Sequence, residues 1–521
     1  MREDWIEVEL GEILKLKNGF AFKAKDYIED GIPVFRIGNI NDWIVSEYNA
    51  KRIKESEVYD DYIVENGDIL IAMSGATTGK FGIYNSEKKA YQNQRVGNLK
   101  LYSEKFTNKQ FVFYLLYSLK RKIEEDAYGG AQPNISSSKI EALNTNLAPL
   151  PIQRAIVSKI ETFFSDLHNG IASFKKAQEQ LKIYRQAVLK KAFEGELTKE
   201  WRAKQSNLPT AEELLKQIKE ERQNHYDQQI KDWKKAVKEW EINVKEGKKP
   251  SKPQKNKYFA VLSVDELNML PKLPSNWFWD KLGNVCLKIM DGTHFSPKNT
   301  DVGDFKYITA KNIKEGRILL DNISYVTSAD HLEIFSRCDV KKGDVLYIKD
   351  GATTGRAAIN NLNEEFSLLS SVAVFRTAHK LILPQYLEYF LNSQVTKNRM
   401  LSNIAGVAIT RLTLIKLNNS FLSLCSIQEQ NQIVQEIETR LSVCDKVEQS
   451  ITESLEKAKA LRQSILKEAF EGSLLSKAEI EACKKENDYE PASELLKKIK
   501  AEKEEKEKEK KKKNTKKKSK K

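Results

Sequence analysis

With 521 residues, 40% of them hydrophobic and 31% charged, the chain has material for about three or four domains with cores of their own. No uninterrupted apolar run approaches the ~20 residues that span a bilayer, and MREDWIEVEL at the start is charged from its second residue, so a soluble, unexported, cytoplasmic protein without a membrane partner is expected. The net charge of +14 points to a polyanion, but residues 501–521 hold 12 Lys and 5 Glu, so half of the excess sits in one tail.

Residues 1–146 read as a first globular unit. Trp5 leads WIEVELGEILKLKNG, an alternating strand-like run closed by Gly19. IPVFRIGNI (32–40) and VENGDILIAMSGATTGKFGIY (64–84) follow, then a helical patch, FVFYLLYSLKRKI, from Phe111. Residues 147–199 form a long amphipathic helix ending in AFEG, and residues 200–258 a charged helical linker. A second globular unit, 259–423, repeats the first: WFWDKLGNVCLKIMDG from Trp277, FKYITAKNI (305–313), VKKGDVLYIKDGATTGRAAIN (340–360) and YLEYFLNSQVTKNRM from Tyr386. Residues 424–477 repeat the long helix, and 478–521 hold a short helix and the basic tail, which lacks apolar residues and is expected to be disordered. The tail either holds DNA loosely or serves as a solubilising end.

The two long segments keep one offset over 156–197 and 433–474, the mark of an internal repeat. The lead-in to the first, PIQ then RAIV, reads as two residues shorter than SIQEQNQIV in the second. Ile156, Ile160, Phe163, Leu167, Gly170, Phe174, Ala177, Leu181, Tyr184 and Val188 fall on steps of three and four, and so do Ile437, Leu441, Cys444, Val447, Ile451, Leu455, Ala458, Leu461 and Ile465. Such spacing keeps one seam toward a partner helix, and equal register favours mutual pairing of the two over packing of each on its own unit. Each rod would be roughly 60 Å long, stopped by Gly195 or Gly472. In the linker, PTAEELLKQIKEER (209–222) recurs as PASELLKKIKAEK (491–503). Ile230, Trp233, Val237, Trp240 and Val244 then make a stripe that should dock on this protein or on a partner, ahead of a loose hinge at 247–257.

Chemistry-bearing motifs are sparse. GATTGK (75–80) has three residues between its glycines where a phosphate loop needs four, and Phe81 follows the lysine. It is either a tight turn or a turn that also touches DNA phosphate. No methyltransferase (N/D)PP(Y/F) signature, Walker A sequence or glycine-rich nucleotide fingerprint occurs, so no catalytic residues are assigned. The five cysteines include no CxxC pair; the repeat sets Leu14, Tyr62, Leu150 and Leu167 opposite Cys286, Cys338, Cys425 and Cys444, which marks them as reduced packing residues. Five scattered histidines give no metal spacing.

If two similar units read two different words of DNA, what the copies share is scaffold, and the readers lie where they diverge. The divergent segments are 17–31 against 289–304, 41–61 against 314–337, and 85–95 against 361–371. YQNQR (91–95) carries amides that suit adenine edges and an arginine that suits guanine, although a polar strand end facing water fits as well. GGAQPN (129–134) stands opposite GVAITR (406–411). The candidate DNA contacts are Lys17, Asn18, Arg36, Lys80, Gln92, Asn93, Gln94, Arg95, Gln132 and Asn134 in the first unit, and His294, Lys298, Lys311, Lys349, Arg356 and Arg411 in the second. Lys80 and Arg356, equivalent in the repeat, suit phosphate.

The Trp-led starts, GD(I/V)L followed by GATTG, GGAQPN, the LAPLPIQ and SIQEQ lead-ins and both AFEG-ending helices together resemble the specificity subunits of type I restriction-modification systems. The resemblance covers nearly the whole chain. It implies an α+β protein: two mixed α/β target-recognition domains separated by a pair of long antiparallel helices, with an internal pseudo-twofold repeat. It further implies a non-catalytic subunit that binds a bipartite asymmetric target in double-stranded DNA. Two modification subunits using S-adenosylmethionine and two restriction subunits using ATP and magnesium would join it, so that no cofactor belongs to this chain. The alternative is a duplicated coiled-coil scaffold for protein partners with only nonspecific affinity for nucleic acid.

Overall fold

The computed structural model describes residues 4–41, 43–127, 133–243, 249–255, 257–402 and 411–518, with side chains up to 509. The chain divides into two units, Met1–Lys175 with Thr452–Lys521, and Lys176–Ile451. The division falls inside the two long helices, not at their ends, so each unit holds one globular lobe and half of each helix.

In the first unit, a six-stranded sheet runs Leu14–Asn18, Val96–Leu101, Ile69–Ala72, Phe81–Ile83, Trp43–Val45, Ile40–Asn41. A five-stranded sheet runs Tyr27–Ile28, Lys51–Ile53, Ile32–Phe35, Ala90–Gln92, Ile63–Val64. The expected strand after Trp5 is interrupted: Ile6–Glu9 pairs with Asn144–Leu147, a helical turn Leu10–Ile13 with a Glu9/Glu12 capping box intervenes, and Leu14–Asn18 enters the large sheet. The helix Lys109–Ala127 buries Phe111, Phe113, Leu115 and Leu116 against this layer.

The second unit repeats the plan. Lys288–Asp291, Val372–Arg376, Val345–Ile348 and Ala357–Ile359 form one sheet; Ser324–Val326, Phe305–Ile308 and Ser367–Leu368 form another; Phe278–Lys281 pairs with Phe421–Leu424. The GD motif is a scaffold device in both. Asp68 and Asp344 are 2% exposed. Each accepts the amide three residues before it, from Glu65 at 3.0 Å and Lys341 at 2.8 Å. Each also pairs with a cation on the neighbouring strand, Lys100 at 2.6 Å and Arg376 at 2.8 Å.

The long helices span Leu150–Phe193 and Ile427–Phe470, 44 residues each. Both end where Gly195 (φ 77°) and Gly472 (φ 80°) enter the left-handed region, which an L side chain resists. Gln153 and Gln430 make the same bonds at the two starts, each donating to the carbonyl five residues back, Ala148 at 2.7 Å and Cys425 at 2.9 Å. The two lead-ins are therefore equal in length, against the sequence reading. Cys425 stands opposite Ala148, not Leu150. Like the other four cysteines it is free and buried, and burial pushes the Cys286 and Cys338 thiols up to about 12, as expected of packing residues.

Within each unit, the beginning of one long helix lies against the end of the other, the antiparallel arrangement expected of the pair. In the first unit, Ile156 and Ile160 share a core with Ile465, Leu466, Ala469 and Phe470. In the second, Val188, Leu189 and Phe193 share one with Ile433 and Ile437, and Arg185 pairs with Asp445 at 2.7 Å and Glu448 at 2.9 Å. Ile451 is buried, and Leu167, Phe174, Leu181, Leu441 and Leu455 are half-buried. Phe163, Val447 and Leu461, expected on the seam, are 37%, 41% and 49% exposed. A strict 3.5-residue step drifts about 20° per heptad around a straight helix. Phe164 takes the inward place instead, edge-on to Trp43 and Tyr114, and the Arg462 guanidinium lies 5.0 Å from its ring centre.

A buried carboxylate ties the second unit together. Glu429, fully buried, accepts from Thr198 Oγ1 at 2.8 Å, Arg202 Nε at 2.7 Å and Trp277 Nε1 at 2.8 Å. The first unit has Ile152 at that place, and Trp5 Nε1, the counterpart of Trp277 Nε1, is buried without an acceptor among the described residues.

The linker stripe docks on its own chain. Trp233 Nε1 donates to the Pro250 carbonyl at 3.0 Å, with Lys252 Nζ 5.9 Å from the ring centre, and Lys249 Nζ lies 5.7 Å from the Trp240 ring centre. Val244 and part of the expected hinge lie outside the described residues. The stretch expected to be disordered is instead the continuation of a helix, Ala492–Lys518. Its first turns bury Ala492, Leu496 and Ile499 in the first unit's core, and Lys500 pairs with Glu12 at 2.7 Å. Further along, Glu502 faces Lys506 one turn on at 3.8 Å, so that packing starts the helix and charge pairing continues it.

Candidate nucleic-acid interface

Four chain segments meet at one place in the first unit. Asn18 ends its strand; Gly19 donates to Val96 O at 3.2 Å, and a Cβ on Gly19 would lie 2.3 Å from the Gln92 carbonyl, so only glycine lets the strand end approach this turn. Met73 donates to Arg95 O at 2.9 Å and accepts from Ile135 N at 2.9 Å. Ser74 bridges Asn134 in antiparallel fashion. The result is an open hollow of 570 Å³, its rim carrying Asn18, Ser74, Gln94, Arg95 and Asn134. Gln94, Arg95 and Asn134 are exposed.

The second unit makes the same backbone connections with other side chains. Gly292 donates to Val372 O at 3.4 Å, Lys349 N to Ser371 O at 2.9 Å, Leu412 N to Lys349 O at 2.8 Å, and Asp350 bridges Arg411. Asn18, Met73, Ser74, Gln94, Arg95 and Asn134 thus correspond to Asp291, Lys349, Asp350, Ser370, Ser371 and Arg411. Asp291, 3% exposed, takes two cations, Lys349 Nζ at 3.3 Å and Arg337 Nη2 at 3.2 Å, and His294 Nε2 stands 3.3 Å from it. Arg411 reaches Asp350 at 3.4 Å and is 58% exposed.

Several expected contacts fall elsewhere. Gln92 and Asn93 are 1% and 8% exposed; the Gln92 amide donates inward to Lys17 O at 2.9 Å, and Asn93 accepts from Arg95 N at 3.2 Å. These two amides therefore hold the turn and do not face outward. Lys349, 2% exposed, is likewise enclosed with Asp291. Arg36 and Lys311 sit at the corresponding short helical turns Ile37–Asn39 and Ala310–Asn312, and Lys311 donates to Ser324 Oγ at 3.2 Å. Lys298 is exposed in the 291–304 segment, while Lys17, Lys80 and Arg356 are half-buried. In both GATTG turns the second threonine is spent internally: Thr78 and Thr354 hydroxyls donate to Gly75 O and Gly351 O at 2.6 Å, which favours the structural reading of that motif. Gln132 lies outside the described residues. Trp43, in a segment expected to read DNA, instead stacks on Tyr117 with centroids 3.7 Å apart. Asp291, Arg337 and Asp350 were missed; setting Asp291 beside Asn18 in the repeat would have exposed them as a polar exchange.

One backbone frame is used twice in the chain, with a different set of polar side chains at the same place in each unit. The description "Type I restriction modification DNA specificity domain" fits residues 2–173 and again 274–457. The chain is 26% identical over 513 residues to the EcoBI specificity subunit of Escherichia coli, covering 96% of this chain and 93% of that one, and 21% identical over 520 residues to the EcoKI specificity subunit of E. coli strain K12, covering 96% of each. Its fold matches the crystal structure of the HsdS subunit from Thermoanaerobacter tengcongensis (TM-score 0.52, 16% identity, 91% and 98% covered). It also matches a chain solved in work on complex assembly and conformational transition of the type I R-M system (TM-score 0.59, 17% identity, 91% and 99% covered). The chain belongs to the type I restriction-modification specificity subunits, and its function is recognition of a DNA target.

Proposed function

We propose that each unit reads one part of a bipartite, asymmetric duplex target, and that the two 44-residue helices joining the units fix the unread gap. The observation carrying this reading is the shared hydrogen-bond frame beneath two different polar rims: a common scaffold binds two words because only the rims differ. Exposed Gln94, Arg95, Asn134 and Arg411 present the donor and acceptor groups that base edges call for. Lys80, Arg356 and Lys298 serve phosphate and register. The subunit is non-catalytic and cytoplasmic. It recruits two modification and two restriction subunits, and S-adenosylmethionine, ATP and magnesium bind to those partners.

Methylation mapping with and without this gene tests the reading: a two-part adenine-methylated motif should vanish with the gene. Removing one heptad from both long helices, around Lys175 and Ile451, should shorten the gap by about three base pairs, since seven residues rise about 10 Å and a base pair about 3.4 Å. Both words should persist. Altered words at an unchanged gap would contradict the helical spacer.

A further inference from the structure

Beyond the division of the target between units, the two rims differ in where they carry an arginine. In the first unit, the guanidinium rises from the turn after Ala90–Gln92, at Arg95, and an amide, Asn134, stands opposite on the bridge to Ser74. In the second unit the corresponding turn position is Ser371, and the guanidinium comes from the opposite side, at Arg411. The arginine has moved to the other side of the frame, while the strand-end, turn and bridge connections described above recur. Two hydroxyls at this place, Ser74 Oγ in the first unit and Ser371 Oγ in the second, are buried without a partner among the described residues. Buried hydroxyls are completed by protein, ordered water or a ligand, so both places offer an added hydrogen-bonding group.

We infer that positions 95 and 134 in the first unit, and 371 and 411 in the second, are the specificity-determining pairs of the two recognition sites. Each arginine takes the O6 and N7 edge of a guanine, from opposite sides of the shared backbone frame. This rests on the reading that each unit binds one part of the target. Arginine is suited to the role because its planar fork meets both acceptors at once, and a good bidentate contact discriminates by roughly 5- to 150-fold against the wrong base. Arg95 and Asn134 are exposed, so exchanging them leaves the scaffold bonds, which are made by backbone, in place.

The test is methylome sequencing of cells carrying the full chain with its modification partner, as wild type, as R95A, and as the exchange R95S/N134R, which gives the first unit the second unit's pair. The expected result is a wild-type two-part motif in which R95A relaxes one guanine of one part by about 10-fold or more. The exchange should rewrite that part alone, with the other part and the gap unchanged. If R95A keeps the wild-type motif at full stringency, or changes both parts, the inference is overturned while the two-part reading stands. If R95A abolishes methylation in a complex that still assembles by size exclusion, Arg95 is an anchor rather than a reader, and the inference is likewise overturned. A wild type that writes no two-part motif would sink the underlying reading itself, a failure distinguishable from the others.

Discussion

Replacing Glu429 with alanine is expected to cost the second unit about 3–5 kcal/mol, because Arg202 would keep its charge inside the structure with its partner gone. Arg202 is 16% exposed in its side chain, and the Trp277 indole and Thr198 hydroxyl would lose their acceptor at the same time. The loss should register as hydrogen exchange accelerated on the order of 10²–10³-fold at residues 195–203 and 426–433. Residues 150–157 in the first unit, where Ile152 occupies the corresponding place, should exchange as before. Unchanged exchange in the second unit would mean that the carboxylate contributes nothing beyond packing. Glu429→Gln, which keeps an acceptor and loses the charge, should fall between.

A pH dependence is expected from Glu388. Burial against Ala357–Ile359 pushes its carboxyl up to about 7, although one oxygen accepts from Ile359 N at 2.9 Å, and nearby Glu438 adds to the rise. The folded chain therefore holds a proton that the unfolded chain releases above pH ~4.5. The stability this group allows is fully present below about pH 4.5 and is lost as pH rises through about 7, a change of about 3 kcal/mol. Urea unfolding followed through the second unit should show the midpoint falling between pH 5 and 8. Glu388→Gln should flatten that slope and exceed wild type at pH 8; a Gln variant with the wild-type slope would place the titration elsewhere.

The repeat, the matched strands and the two equal helices were legible because each rests on a local signal: alternation in strands, steps of three and four in helices, AFEG at a stop. The rims were only half legible. Gln92 and Asn93 read as candidate DNA contacts, yet the strand Ala90–Gln92 lies between Ile32–Phe35 and Ile63–Val64, and both residues are enclosed. Only the pairing of distant strands decides that, and spacing within YQNQR does not report it. Phe163 and Phe164 are adjacent, so a repeat of three and four cannot choose between them; the Trp43, Tyr114 and Arg462 groups do. Lys349 looked like a surface cation until the strand ending at Asp291 was placed beside it. The short helix at 491–503 was legible from its recurrence in the linker; its continuation to Lys518 was not, because the tail offers composition and no apolar period.

The first unit is assembled from Met1–Lys175 and Thr452–Lys521, with the whole of the second unit encoded between them. On the ribosome this inverts the usual order, in which the domain nearest the start folds first. Ile156 and Ile160 emerge early, but Ile465 and Phe470, which cover them, are translated some three hundred residues later, a delay of tens of seconds at about 5–20 residues per second. Until then the nascent chain carries an uncovered greasy ridge, and the later-encoded lobe is complete first, if only by about fifteen residues, so yield in a foreign host should depend on chaperone supply and on the pace of elongation.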